Sequence, residues 1–249
     1  MTSVMEGMVK RFFTDTGIDV PAVTTDQMRE VDRIAIEETG PNLFQMMENA
    51  GRNLALLAME TLGQNWAQAK IVVLAGSGGN GGGGICAARH LANRGADVTL
   101  CLGAPDRLGE VPAFQHQIFQ GTSGKEVDAK DLGQVAPDFI LDALIGYSLR
   151  AAPRGVAAEL IRWSNGTKAP ILALDIPSGV DSTTGHAEGD FINARWTMTL
   201  ALPKTGLLPE KTGKLFLADI GIPEETYRRL GLAYTSPFGN RYRVPLTSR

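Results

Sequence analysis

The stretch from Lys70 to Gly84, KIVVLAGSGGNGGGG, decides the fold of this chain. It begins with a short apolar run that is rich in β-branched residues, and seven of the nine residues in 76–84 are glycine. The apolar run is typical of a buried strand. Backbone without side chains can approach a ligand closely, and a helix N-terminus behind it favours an anion. The stretch therefore predicts a strand, a ligand-binding glycine loop, and a helix from about residue 84 to 93.

Strands and helices alternate along most of the remaining chain. Two helices, at about residues 24–38 and 42–61, precede the glycine-rich stretch, and Gly63 is a C-cap for the second. After the stretch, the pattern predicts strands at about 97–102, 138–144, 171–176, 196–200 and 215–219, and helices at about 113–120, 156–164 and 224–230. Such alternation indicates βαβ units. The predicted fold class is α/β, a three-layer Rossmann-like sandwich with a mostly parallel sheet and two extra N-terminal helices.

Length, charge and composition narrow the class of protein. No linker divides the 249 residues, so we expect one domain over 23–249 that follows an N-terminal arm over 1–22. The net charge of −3 disfavours a nucleic-acid partner, and no run of 18 apolar residues predicts a membrane span. No signal peptide is apparent at the start, so we expect a cytoplasmic location. Two cysteines exclude a disulfide framework and a four-thiolate zinc site.

Aspartates stand where two of the predicted strands end. Asp142 closes one strand and Asp175 another, and ligands in open α/β sheets bind beyond the carboxyl ends of the strands. Pro177 and Gly179 predict a rigid turn that presents Asp175 and Ser178 on one side. Together with Asn80 in the glycine segment, these residues offer carboxylate, hydroxyl and amide oxygens. Such a set suits a hard cation.

The glycine segment also matches a dinucleotide motif formally. Residues 76–81 fit G-x-G-x-x-G, but a stretch this rich in glycine fits that pattern easily. A dehydrogenase of the Rossmann type would also need an acid at the end of the second strand, and residues 100–103 read LCLG. A P-loop is excluded because no Gly-Lys-Ser/Thr follows the glycines.

Taken together and in order, several segments resemble the NAD(P)H-hydrate epimerases, the YjeF N-terminal domain family. The resemblance runs from about residue 28 to 231. It is carried by residues 28–32 (MREVD), 46–51 (MMENAG), 76–91, 142–146 (DALIG), 175–179 (DIPSG) and 219–223 (DIGIP).

The resemblance implies a substrate, a cofactor and a set of site residues. The substrate would be NADHX or NADPHX, the hydrated forms of NADH and NADPH, and the activity would interconvert their R and S forms. The implied substrate contacts are Gly79, Asn80, Gly81, Gly82, Gly83, Gly146, Tyr147, Ser148, Leu149, Arg150, Ala151, Ala152 and Asp175. A potassium ion would be held by Asn80, Asp142 and Ser178. A separate NAD(P)H-hydrate dehydratase would act downstream, and a homodimer is left open.

Epimerisation requires a bond to C6 of the hydrated ring to break and re-form. The ring nitrogen could expel the hydroxyl and leave an iminium that water attacks from the other face, or the ring could open and reclose. Either route needs proton transfer at an oxygen. Our hypothesis assigns the general acid/base role to Asp175, acting mainly as base and charge stabiliser.

The sequence departs from the family at three positions. The usual loop, Asn-Asn-Gly-Gly-Asp-Gly, has glycine here at Gly79 and Gly83, and Arg150 stands where a lysine is common. Lys204 resembles a family lysine, yet its position in a predicted loop favours a solvated side chain. Gly83 favours one alternative, a non-catalytic interaction domain of the same fold, while Asn80 and the strand-end residues oppose it. Residues 232–249 are too few for a second repair domain, so we expect no bifunctional enzyme.

Overall fold

The alternating pattern forms one sheet flanked by helices in a computed structural model that describes residues 11–249. The strands of this part of the chain are β1 (Phe12–Thr14), β2 (Asp19–Val20), β3 (Lys70–Ala75), β4 (Asp97–Leu102), β5 (Lys125–Glu126), β6 (Phe139–Ala143), β7 (Ile171–Leu174), β8 (Trp196–Leu200), β9 (Lys214–Ala218) and β10 (Arg243–Ser248). The helices are α1 (Thr25–Ile34), α2 (Leu43–Leu62), α3 (Gly79–Ala92), α4 (Glu110–Phe119), α5 (Val156–Gly166), α6 (Pro209–Thr212) and α7 (Glu224–Arg229).

The sheet has the order β2-β1-β10-β9-β8-β7-β6-β3-β4-β5. All neighbours from β9 to β5 are parallel, and β9, β10, β1 and β2 extend the sheet in antiparallel fashion. The six strands that the sequence predicts are confirmed, with ends that differ by at most two residues. Because β4 and β6 lie on opposite sides of β3, the strand order reverses between β3 and β6, where such sheets place their ligands.

The antiparallel extension was not predicted from the sequence. Residues 11–22 belong to the expected N-terminal arm, whose sequence has only a weak pattern, but β1 pairs with β10 and with β2. These strands have two to six residues, and β10 contains Pro245, which disfavours a strand when read from sequence alone. The part of the predicted arm over residues 1–10 lies outside the described residues.

The core lies on both faces of the sheet. In β3, Ile71, Val73 and Ala75 pack with the buried side chains of α2 and α3, while Val72 and Leu74 belong to a second cluster with the buried side chains of α5. Strands buried on both faces read as continuous apolar runs, as β3 does. The predicted three-layer arrangement is confirmed.

The two N-terminal helices are confirmed and have clear start signals. Thr24 and Asn42 each form a capping box with the glutamine three residues later, and a π-helical turn, Ala35–Thr39, continues α1. Gly63 ends α2 with a φ of 62°. Helix α1 packs its apolar side inward through Met28, Val31 and Ile34.

The glycine-rich segment is mainly helix rather than loop. Helix α3 begins at Gly79 and not at about residue 84, so the sequence interpretation placed its start too late. A Cβ at Gly81 would lie 1.8 Å from the backbone oxygen of Gly76, and one at Gly84 would lie 2.4 Å from the Cβ of Ala143. Real Cβ atoms do not approach so closely. The glycines therefore allow α3 to lie directly against the ends of β3 and β6.

None of the helices within residues 11–249 combines the length and the apolar character needed to cross a bilayer.

We expect Gly81→Ala to lower the free energy of unfolding by about 1–3 kcal/mol or more, because the added methyl group meets backbone that cannot move aside easily. The matched control is Gly78→Ala, where a Cβ would have no atom of residues 11–249 within 4 Å apart from its own chain neighbours. Urea unfolding of both variants measures the difference. Equal stabilities would contradict the close-packing explanation for the glycines.

Candidate functional site

A cavity of about 490 Å³ opens where β3, β6, β7 and β8 end. The strand-end segments supply one wall, with Leu144, Gly146, Asp175 and Leu200, and α1 and α2 supply the opposite wall. The helical wall consists of Met28, Asp32, Leu43, Met46 and Met47. The cavity therefore lies at the carboxyl edge of the parallel strands, as the sequence predicts, and the two N-terminal helices cover it.

A buried ion pair lies in this cavity. The Nζ of Lys204 donates to Oδ1 of Asp175 and, at 2.9 Å, to the backbone oxygen of Leu200. The side chains of Lys204 and Asp175 are only 1% and 5% exposed. Oδ1 of Asp175 also accepts from the backbone nitrogen of Leu200 at 3.3 Å, and Oδ2 accepts from that of Tyr147 at 3.2 Å. Asp175 is thus held from several sides at the end of β7.

Asp175 has a backbone conformation that is unusual for a residue with a side chain. Its φ is +68°, in the left-handed region that favours glycine. Such strain is common at functional sites, where the surrounding structure enforces it. Here the backbone nitrogen of Asp175 donates to the oxygen of Met198 at 2.7 Å. The bond to β8 helps to keep the carboxylate directed into the cavity.

The interpretation of Lys204 as a solvated loop lysine is wrong. Its backbone lies beside Val23 in an isolated β-bridge, and its side chain turns inward to the ion pair. The ammonium also lies 5.8 Å from the centre of the Tyr147 ring. A sequence alone does not show which way a loop lysine turns, and the only available signal was its similarity to a family lysine.

A second carboxyl group faces the cavity from α1. The hydroxyl of Tyr147 donates to Oδ2 of Asp32 at 2.5 Å. Burial raises the pKa of Asp32, although the hydrogen bond from Tyr147 and the charge of Lys204 act in the opposite direction. The sequence analysis did not assign Asp32 to the site. Two signals could have indicated it: the apolar neighbours Met28 and Val31, and the place of Asp32 in the segment 28–32 (MREVD), which carries part of the family resemblance.

The three residues expected to hold a cation are arranged in two groups. Asp142 and Ser178 are fully buried, and the hydroxyl and backbone nitrogen of Ser178 donate to the two Asp142 oxygens at 2.6 and 2.8 Å. Burial raises the pKa of Asp142 to about 6, against the effect of these hydrogen bonds. Asn80 lies at the first turn of α3 with its amide beside Gly146. Its Oδ1 and Nδ2 are buried, and neither has a hydrogen-bond partner within residues 11–249.

The expected substrate contacts are divided among three places. Gly79, Asn80, Gly146, Tyr147, Ser148 and Asp175 line the cavity. Gly81, Gly82 and Gly83 do not, because α3 begins early and buries them; a Cβ at Gly83 would lie 2.8 Å from Leu174 Cδ2. Leu149, Arg150, Ala151 and Ala152 line a second cavity of about 460 Å³, together with residues that include Asp181 and His186.

We expect Asp175→Asn to lower the free energy of unfolding by about 3–5 kcal/mol, because it leaves the buried ammonium of Lys204 without its counter-ion. The double variant Asp175→Asn/Lys204→Met should recover most of that loss. The control is Asp190→Asn, which removes an exposed partner of Arg162 and should change stability by less than about 1 kcal/mol. Urea unfolding gives all three values, and equal effects of Asp175→Asn and Asp190→Asn would contradict the expectation.

Comparison with known proteins places the chain in a family. The family model described as YjeF-related protein N-terminus matches residues 43–206. The chain is 50% identical over 242 residues to an NAD(P)H-hydrate epimerase of Dehalogenimonas lykanthroporepellens, covering 97% of this chain and 99% of that one. It is 35% identical over 220 residues to a bifunctional NAD(P)H-hydrate repair enzyme, Nnr, of Moorella thermoacetica, where it covers 82% of this chain and 41% of the other.

The fold has a solved counterpart. The crystal structure of the yeast protein ynu0 matches with a TM-score of 0.75 and 22% identity, over 91% of this chain and 100% of that one. At that identity the likeness concerns the fold alone. The sequence motifs, the family model and the relative of 50% identity agree. The chain therefore belongs to the YjeF-related N-terminal domain family.

Proposed function

We propose that this chain is an NAD(P)H-hydrate epimerase, an isomerase that interconverts the R and S forms of NADHX and NADPHX. The observation that carries the proposal is the 50% identity, over nearly the full length of both chains, to a protein of that name. The cavity supports it, since its wall holds the acid–base groups that inversion at C6 requires. A Rossmann dehydrogenase has no comparable support, because β4 ends in Leu102 without the acid that binds ribose.

The chemistry at C6 needs proton transfer and stabilisation of positive charge. In the iminium route, the C6–oxygen bond breaks as the ring nitrogen donates its lone pair, and the charge that develops is spread over nitrogen and carbon. The carboxylate of Asp175 lies in the cavity wall and can stabilise that charge or accept a proton through water. Lys204 fixes its orientation. Ring opening and reclosure would use the same groups.

The substrate is long, and the chain offers it two cavities in sequence. Gly79, Asn80, Gly146, Tyr147 and Ser148 line the first cavity, and residues 149–152 line the second. One segment, 146–152, therefore borders both. We assign the hydrated ring to the cavity that holds Asp175, and the remainder of the dinucleotide to the path along this segment.

A potassium ion fits the residues at the end of β6. Asn80 presents a buried amide oxygen that has no partner within residues 11–249, and the fully buried carboxyl of Asp142 lies in a set of oxygens without soft ligands. The residues that would hold the ion are Asn80, Asp142 and Ser178. The ion would supply positive charge that compensates Asp142 and favours negative groups of the substrate nearby. Asn80 would also tie the N-terminus of α3 to the 145–148 segment.

The missing loop carboxylate is compatible with activity. Gly83 is buried against Leu174 and Ala50, away from the cavity, so this position contributes no group to the cavity wall in this chain. Asn80, Tyr147 and Asp175, whose side chains the proposal uses, do line the cavity.

The epimerase proposal is tested with one purified epimer of NADHX or NADPHX. We expect the wild-type chain to accelerate conversion to the equilibrium mixture of both epimers, measured by chromatography against a control without protein, because the hydrates also interconvert unaided. Gly83→Asp should not raise the rate, since the new carboxylate would enter the core. A wild-type rate equal to the control, with acceleration by Gly83→Asp, would contradict the proposal and make that carboxylate essential.

We expect potassium to raise the rate or the substrate affinity of the wild type, and lithium or sodium to replace it poorly. Asn80→Ala should remove this selectivity, because it deletes one oxygen ligand without breaking a hydrogen bond seen within the described residues. Thermal unfolding with each chloride salt gives an independent measurement, in which potassium should raise the Tm of the wild type alone. An equal response to all three cations would exclude the site.

The chain would complete repair only together with another enzyme. Epimerisation changes the configuration of the hydrate and leaves the water on the ring, so a separate dehydratase must remove it. The chain spans 41% of the bifunctional repair enzyme that it matches, which is consistent with another activity lying elsewhere in that protein. A cytoplasmic location and a homodimer stay predictions.

A further inference from the structure

Within residues 11–249, Asp32 is the one cavity carboxyl that comes from outside the strand ends. It lies on α1, on the wall opposite the 144–148 segment, and the hydroxyl of Tyr147 reaches across to its Oδ2. The two residues are 115 positions apart in the chain, so the contact joins the helical wall to the strand-end wall. Asp32 is half-buried, and it takes no part in the capping box of its helix, which is formed by Thr24 and Gln27.

Both carboxylate oxygens of Asp175 already accept hydrogen bonds from the chain. Its Oδ1 accepts from the ammonium of Lys204 and the backbone nitrogen of Leu200, and its Oδ2 accepts from the backbone nitrogen of Tyr147. Its carboxylate also compensates the charge of the buried Lys204 ammonium. This carboxylate is therefore suited to stabilise charge and to orient groups.

The groups around the carboxyl of Asp32 differ from those around the carboxylate of Asp175. The groups that face it are the Tyr147 hydroxyl, the more distant charges of Lys204 and Asp175, and Tyr227 on the neighbouring helix α7. No salt bridge involves Asp32 within residues 11–249. Desolvation raises its pKa, so it can hold a proton closer to neutral pH than an exposed aspartate can. Two carboxyl groups in one cavity with opposed environments typically take different roles.

We propose that Asp32 is the group that exchanges a proton with the C6 hydroxyl of the hydrated ring, and that Tyr147 is the positioning residue that holds its carboxyl in place. The inference rests on the proposed epimerase function and divides its chemistry between two carboxyls. Asp175 stabilises positive charge on the ring, and Asp32 transfers the proton.

The iminium route contains two proton transfers, and Asp32 takes part in both. The protonated carboxyl of Asp32 gives its proton to the C6 hydroxyl oxygen, the C6–oxygen bond breaks with its electron pair leaving on water, and the nitrogen lone pair forms the carbon–nitrogen double bond. Water then adds to C6 from the opposite face, the carbon–nitrogen π pair returns to nitrogen, and the added water loses one proton to the Asp32 carboxylate. One water leaves and one enters, and Asp32 ends as it began.

The first test compares Asp32→Asn with wild type. The change keeps the size of the side chain and removes its ability to donate or accept this proton, so we expect kcat to fall by roughly 10²–10⁴-fold with KM little changed. Asp26→Asn is the matched control: it removes a carboxyl from the same helix where the side chain is 89% exposed, and kcat should stay at the wild-type value.

The second test uses the pH profile of kcat, corrected at each pH for the rate without protein. If Asp32 acts as the acid, the wild-type rate falls as pH rises through the pKa of Asp32. Tyr147→Phe removes a hydrogen bond that favours the carboxylate, so this pKa rises and the falling limb moves to higher pH. In Asp32→Asn the limb disappears. If Tyr147 had only a structural role, Tyr147→Phe would change the rate without moving the falling limb of the pH profile.

The outcomes separate this inference from the function on which it rests. A wild type that does not exceed the control without protein contradicts the epimerase proposal itself. Two results with an active wild type would overturn the role of Asp32. One is a kcat of Asp32→Asn within a few-fold of the wild-type value. The other is a falling limb of the pH profile that stays at the same pH in Tyr147→Phe. If Asp32→Asn fails to fold, as thermal unfolding would show, the limb of Tyr147→Phe decides the question alone.

Discussion

The structure depends on how closely α3 approaches the ends of β3 and β6. At Gly81 and Gly84 even one methyl group would overlap backbone or a neighbouring side chain. A helix that lies this near the sheet brings its first turn, with Asn80, directly to the 145–148 segment after β6. The N-terminus of α3, the ends of β6 and β7 and the cavity between them are therefore positioned by one packing constraint, and the glycines are required for packing more than for ligand contact.

Within the cavity, electrostatics determines the arrangement. Lys204 is a buried cation, and its charge is compensated by Asp175 and by the carbonyl of Leu200. Buried ion pairs contribute little net stability, yet removing one partner is strongly destabilising. The pair therefore acts chiefly to fix geometry: it holds Asp175 in a strained backbone conformation at the end of β7. Asp32 adds a second carboxyl to the cavity lining, and this one accepts a hydrogen bond from the hydroxyl of Tyr147.

Local sequence signals were enough for the parallel sheet and for part of the site. The apolar runs predicted six strands, and Asp142 and Asp175 could be placed together because parallel strands end at the same edge. The start of α3 could not be found in this way, since glycine has low helix propensity and tertiary packing overrides it at Gly79–Ala92. Likewise the direction of a single side chain, at Lys204 or Asp32, depends on what the rest of the chain places beside it. The short strand β1 and the proline-containing β10 gain their pairing from each other.

The glycine content of α3 also bears on the order of folding. A helix that opens with five glycines and one asparagine in its first six residues has almost no tendency to form alone, and a helix nucleus is costly even for good sequences. This helix needs the surface that β3 and β6 create when residues as distant as Ile71 and Phe139 pair. Such long-range pairing is slow to form. We therefore expect the first turn of α3, and the cavity it borders, to be among the last parts to become ordered.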